Sequence, residues 1–135
     1  MTAVLLDTNA LLWFVGSATR LGRRALKLAE TAVRERTLFV SAISFWETAL
    51  LVECGRLKLS QPVAVWRHKV LALGIRELSL NGDIAIRAVD AMPDHNDPAD
   101  RFILATALDC AATLLTADDR LLEWAGQLRR HDART

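Results

Sequence analysis

The chain has little proline or glycine, three and six residues out of 135, and 52% of it is hydrophobic. That balance excludes a disordered or collagen-like polymer. It lacks a long apolar run: the longest, Ala10 to Val15, is far short of the roughly 20 residues a membrane helix needs. No membrane association is expected. It lacks a basic leader, since an acid, Asp7, follows the short apolar opening directly, and no secretory signal is expected. Cysteine is scarce. Cys54 and Cys110 lie far apart with no C-x-x-C spacing, so they are expected as reduced, buried thiols of a cytoplasmic protein rather than zinc ligands. No G-x-x-x-x-G-K-[ST] phosphate loop and no Ser/His/Asp or Cys/His arrangement stands out. There is no linker, repeat or low-complexity stretch, and the length fits one domain over residues 1–135. Such a chain buries roughly two-thirds of its unfolded surface and needs no covalent staple.

Net charge is also nearly absent, at +1, but its distribution is uneven. Residues 20–36 carry six Arg/Lys against two Glu, whereas residues 94–119 carry six Asp against Arg101 alone. Either stretch reads as a solvated helix face. The acidic one also reads as a cluster that a cation would neutralise.

Short apolar segments alternate with helical patterns. Ala3–Leu6, Leu38–Val40, Ile75–Leu80 and Thr113–Thr116 read as strands, and 128–131 as an edge strand. Helices are expected from Ala10 to Val15, from Leu21 to Val33 and from Ser44 until Gly55 ends it. Further ones follow from Val63 to Leu73 with Gly74 at its end, from Asp83 to Ala91, from Asp97 to Ala111 and from Asp118 to Ala125. The alternation predicts an α/β fold, a three-layer α/β/α sandwich around a mostly parallel sheet. Ligands of such folds bind at the carboxyl ends of the strands.

Four acids fall at those ends: Asp7 after the first strand, Glu47 one turn beyond the second, Asp118 after the Thr113–Thr116 strand, and Asp100 in the first turn of the preceding helix. Each has an ordinary use as well. Ser44-x-x-Glu47 reads as a capping box, and Asp97-Pro98-Ala99-Asp100 places acids at N-cap and N3 around a proline at N1. Asp118 is placed to cap the last helix, and Asp7 or Asn9 the first. The two uses are compatible, because a helix N-terminus favours an ionised carboxylate. Convergent carboxylates repel unless protonated or bridged, and a hard cation such as Mg²⁺ or Mn²⁺ suits them. Hydrolysis of a phosphodiester is the chemistry that uses such a site. His95 reads as a substrate contact or a solvated loop residue. Arg101 either pairs with a neighbouring acid or approaches a phosphate. Trp13, Trp46, Trp66 and Trp124 are expected to pack in the core, Trp46 having base stacking as its alternative.

Four blocks carry a resemblance: Leu5-Leu-Asp-Thr-Asn-Ala-Leu-Leu-Trp13, then Val40-Ser-Ala-Ile-Ser-Phe-Trp-Glu47 running on to Gly55-Arg-Leu-Lys-Leu59, then Met92 to Arg101 with its His-x-Asp-Pro-x-Asp-Arg pattern, and Leu115-Thr-Ala-Asp118. In this order they resemble the PIN-domain ribonucleases, specifically the VapC-like toxins of bacterial toxin–antitoxin pairs. The resemblance implies a metal-dependent endoribonuclease using Mg²⁺, with Mn²⁺ as the alternative, and Asp7, Glu47, Asp100 and Asp118 as its acidic quartet. Asp7 and Asp100 match the family's metal ligands. Thr116 matches a hydroxyl that orients the site, while Asn9, Asp97 and Arg101 occupy supporting positions. Asp118 is preferred to Asp119 because it keeps the Thr-x-Asp spacing. Also implied are an RNA substrate, a cognate antitoxin protein, a homodimer and a cytoplasmic location. The basic residues Arg20, Arg23, Arg24 and Lys27 would then track an RNA backbone or face solvent.

Three other functions compete. An aspartate phospho-acceptor domain needs a lysine near the acids, and Lys27, Lys58 and Lys69 are unsuitably placed. A catalytically silent interaction module fits less well with four intact acids. A nuclease preferring DNA differs only in the sugar, which none of these residues reads.

Overall fold

The computed structural model describes residues 2–92 and 96–135. Five strands, β1 (Val4–Leu6), β2 (Leu38–Ser41), β3 (Arg76–Leu78), β4 (Thr113–Thr116) and β5 (Arg130–Asp132), form one sheet in the order β3-β2-β1-β4-β5. Every pairing is parallel. The helices are α1 (Thr8–Gly16), α2 (Arg23–Arg34), α3 (Ala42–Glu53), α4 (Val63–Ala72), α5 (Gly82–Asp90), α6 (Pro98–Asp109) and α7 (Asp119–Glu123). A 3₁₀ turn over Ala18–Arg20, not foreseen from sequence, joins α1 to α2.

The period-two alternation of β1 divides the core. Val4 and Leu6 pack on one side with Ala10 and Leu11 of α1, Ala25, Ala29 and Ala32 of α2, Phe45 and Val70. Leu5 packs on the other with Ile103, Leu104 and Ala107 of α6, Leu114 and Leu121. Helix α5 lies against α6, through Ile84 and Ala88 on Ala105. Helices therefore cover both faces, as a fully parallel sheet requires. At the far edge Arg67 of α4 grips Glu77 of β3 through two 2.8 Å hydrogen bonds.

Several elements differ from their expected bounds. The last helix spans Asp119–Glu123 only, and the edge strand lies at Arg130–Asp132 rather than 128–131. The third helix begins earlier, at Ala42, because β2 runs straight into it and Ser41 takes the cap, accepting from the Ile43 amide at 3.2 Å. Ser44 is therefore not an N-cap: it is buried inside the first turn. Cys54 and Cys110 are free thiols but exposed, not buried, because each sits at a helix C-cap where the chain turns at the surface. Trp46 is also outside the core, 49% exposed, since α3 turns Phe45 and Thr48 inward and leaves Trp46 facing out. Trp13, Trp66 and Trp124 do pack against the core.

Candidate active site

Strand β1 lies between β2 and β4: the chain runs from β1 outward through β2 to β3 and then crosses back to β4 on the other side of β1. A crevice at such a switch point opens beyond the carboxyl ends of the strands. The register Leu6↔Leu115 brings Asp7 and Thr116 together across the ends of β1 and β4. The Asp7 amide continues the ladder to the Leu115 carbonyl at 3.1 Å.

Asp7, Glu47, Asp97, Asp100 and Asp118 line one cavity of about 220 Å³, with Thr8, Asn9 and Leu51 completing its wall. Among the described residues no basic side chain lines it. Most of these acids have a second, structural task. The Asp7 carboxylate accepts from the Ala10 amide at 2.8 Å, Asp97 from Ala99 at 3.0 Å and Asp118 from Arg120 at 2.9 Å. They are the N-caps of α1, α6 and α7. Asp100 stands in the first turn of α6 and shares a hydrogen bond with Asp118.

Thr116 links the two halves. Its fully buried hydroxyl donates to the second Asp7 carboxylate oxygen at 2.5 Å and accepts from the Asp118 amide at 3.0 Å. Thr8, which the sequence did not single out, plays a matching part. Its buried hydroxyl is hydrogen-bonded with the Ser44 hydroxyl at 3.0 Å and with the Glu47 carboxylate. Its place directly after Asp7 was the available signal. Ser44 thus serves the site from beneath, tying α1 to α3.

Burial dominates the electrostatics. It pushes the Asp7 carboxyl up to about 6, against the Thr116 and Ala10 hydrogen bonds that favour its charge, with Asp118 and Glu47 adding repulsion. Burial also raises Glu47, opposed by Thr8 and assisted by the Asp97 charge. Asp100 rises furthest, through burial, the bond shared with Asp118, and the charges of Asp97, Asp118 and Glu47. The pocket thus holds carboxyls that want either a proton or a cation. Its donors are all oxygen, a set suited to Mg²⁺ or Mn²⁺ and unsuited to zinc. Among the described residues no trio of Asp, Glu, His or Cys is gathered into a ready-made metal cage.

The remaining expected residues separate. Asp119 turns outward and pairs with Arg134 at 2.8 Å, leaving Asp118 as the residue on the cavity. Arg101 is half-buried and turns toward α5: its guanidinium donates to the Ala88 carbonyl at 2.9 Å and to that of Val89, fastening α6 to the end of α5. His95 lies outside the described residues. Arg23, Arg24 and Lys27 lie along α2, all three exposed.

Residues 4–127 match the family described as PIN domain. The chain is 39% identical over 123 residues to Ribonuclease VapC22 of Mycobacterium tuberculosis (strain ATCC 25618 / H37Rv), an alignment covering 90% of this chain and 91% of that protein. Its fold is similar to that in a toxin–antitoxin complex from Klebsiella pneumoniae, at TM-score 0.64 and 22% identity over 97% of this chain and 98% of that one. It is likewise similar to DNA-bound VapBC from Salmonella typhimurium, at TM-score 0.69 and 16% identity over 98% of each chain.

Proposed function

The chain belongs to the PIN-domain family, and on that premise we propose that it is a single-domain, metal-dependent endoribonuclease, the cytoplasmic toxin of a toxin–antitoxin pair. The observation that carries this reading is the cavity itself. Five carboxylates line one cavity at the carboxyl edge of a parallel sheet with no basic side chain among the described residues of its lining, and two of them, Asp7 and Asp100, are raised far above the usual range. A purely structural use of these acids as caps needs no such convergence. RNA is favoured over DNA by the relative that bears the name ribonuclease and aligns along nine-tenths of the chain.

In this reading Asp7 and Asp100 are the principal metal ligands, with Glu47 and Asp118 completing the quartet. A bound Mg²⁺ or Mn²⁺ supplies Lewis-acid activation of water and neutralises charge at the phosphate. The protein's own part is positioning. Thr116 and the Ala10 amide hold both oxygens of Asp7, so its carboxylate enters the pocket in one orientation. Thr8 and Ser44 steady Glu47 from below. Asp97 and Asp118 are set by their capping bonds to α6 and α7. Asn9, exposed at the rim, offers an amide to an incoming phosphate.

The partners follow from the same family reading: an RNA substrate, a cognate antitoxin and a second copy of the chain. Trp46 and Leu50 on α3 and Ile86 and Val89 on α5 stand 39–70% exposed, apolar side chains that a homodimer or an antitoxin would cover. Among the described residues no helix is long and apolar enough to cross a membrane.

The test is digestion of a total-RNA pool by purified, partner-free protein in Mg²⁺, in Mn²⁺ and in EDTA, beside Asp100→Asn. Discrete fragments that require both metal and Asp100 are expected. Folded wild-type protein that cuts nothing in either metal would overturn the proposal in favour of a silent interaction module, and equal cutting of a matching DNA strand would reverse the choice of RNA.

A further inference from the structure

Beside the acidic cavity, and sharing Asn9 and Leu51 with it, runs a groove of about 420 Å³, within the roughly 300–1,000 Å³ range of ligand sites. Its chemistry is the reverse of its neighbour's. Arg20, Arg56 and Lys58 line it, and among the described residues no acidic one does. Trp13 and Trp66 form its aromatic wall. The Arg20 guanidinium lies over the Trp13 ring, 4.8 Å from its centroid, which confines a long side chain before any ligand arrives and keeps its charge beside the groove. Trp66 is itself braced edge-to-face on Phe45, with centroids 5.9 Å apart. These residues come from separate segments: α1, the 3₁₀ turn, the stretch after α3, and α4. Their meeting is a product of the fold.

A scissile phosphate in the acidic cavity must have nucleotides on either side. Their phosphates are repelled by five carboxylates and need cations close by. We infer that this groove is where the strand flanking the cut lies, with its phosphates on Arg20, Arg56 and Lys58 and its bases against the tryptophan wall. The inference rests on the nuclease reading above and adds a binding site to it. Guanidinium groups and aromatic faces side by side are the pairing that holds single strands without reading their sequence. A neutral or basic peptide gains nothing from three cations, so charge favours a polyanion as occupant.

The experiment compares wild type with Arg20→Gln/Arg56→Gln/Lys58→Gln on two substrates in Mn²⁺. One is a 12-nucleotide single-stranded RNA; the other is bis(p-nitrophenyl) phosphate, a lone phosphodiester with no flanking strand. On the RNA, KM is expected to rise roughly tenfold or more. The slope of log KM against log salt is expected to shrink by about two, because three cations no longer neutralise phosphates of a single strand. On the small diester, kcat/KM is expected to stay within about twofold of wild type, with an unchanged thermal melt. An unchanged KM and salt slope on RNA would overturn the inference and leave the cationic wall to a protein partner. Equal losses on both substrates would also overturn it, showing that the three residues support the site's structure. Wild-type protein inert on both would instead sink the nuclease reading.

Discussion

Replacing Asp100 with asparagine is expected to remove activity and, by the same electrostatics, to stabilise the metal-free protein. Asp100 is driven past neutrality by burial and by Asp118, Asp97 and Glu47, whereas in the unfolded chain it titrates at its ordinary 3.8. Between those values the folded state binds the extra proton, so folded stability falls as pH rises through the window. At pH 7 the penalty has a ceiling of 1.36 × (7 − 3.8), or about 4 kcal/mol. Asp100 is only partly buried, and solvent screening lowers this to about 2 kcal/mol at pH 7 and to under about 1 kcal/mol at pH 5. Asparagine carries no ionisation and retains a donor for Asp118, so this penalty disappears. In EDTA the variant is expected to melt roughly 6–10 °C above wild type at pH 7, the gap closing to roughly 2–4 °C at pH 5. On the proposed reading, saturating Mn²⁺ is expected to raise the wild type more than the variant, since only the former would keep the full ligand set. Scanning calorimetry at the two pH values measures both effects. A gap that does not change with pH, or a variant less stable than wild type throughout, refutes the reasoning.

Three further sets of substitutions probe the supports of the site and of the fold around it. Thr116→Val removes the hydroxyl on Asp7, whose carboxyl then titrates above about 6; the acid limb of the cleavage profile is expected to move up by about 1–2 pH units, and a pH–rate curve with an unmoved limb contradicts this. Ser44→Ala deprives the buried Thr8 hydroxyl of its Ser44 hydrogen-bond partner and is expected to lower stability by about 1 kcal/mol, while Ser41→Ala is expected to do the same by removing the cap of α3; urea unfolding of both separates these causes from no effect at all. Gly22→Ala sets a Cβ against the Thr135 backbone, breaking the bonds from the Gly22 and Arg24 amides to Ala133 and Thr135; a loss of about 1–3 kcal/mol and fast hydrogen exchange at those two amides are expected, and protection equal to wild type would count against it.

Local signals carried much of this molecule. Gly55 and Gly74 end their helices with φ of 75° and 99°, as their positions suggested, and Asp97-Pro98 opens α6 as cap and N1. The errors share a cause. Ser44-x-x-Glu47 satisfies the capping-box pattern in composition, but β2 continues into α3 without a loop, and a serine three residues earlier takes the amide. Trp46 reads as core by its size, yet its fate depends on how α3 is rotated against the sheet. Arg101 sits beside the acids in sequence and reaches the end of α5 in space.

Capping and chain reversal are settled within three or four residues, so the order of amino acids was enough to put acids at strand exits and helix starts. Which of those acids share a cavity is a long-range matter. It depends on β1 pairing with both β2 and β4, on the Leu6↔Leu115 register, and on the rotation of each helix about its axis. One step of register in a parallel pair exchanges the two faces of a strand, and one residue along a helix turns a side chain by about 100°. Asp118 and Asp119 are alike as neighbours in the chain. They differ because the Thr116 hydroxyl holds the Asp118 amide and Arg134 takes the Asp119 carboxylate.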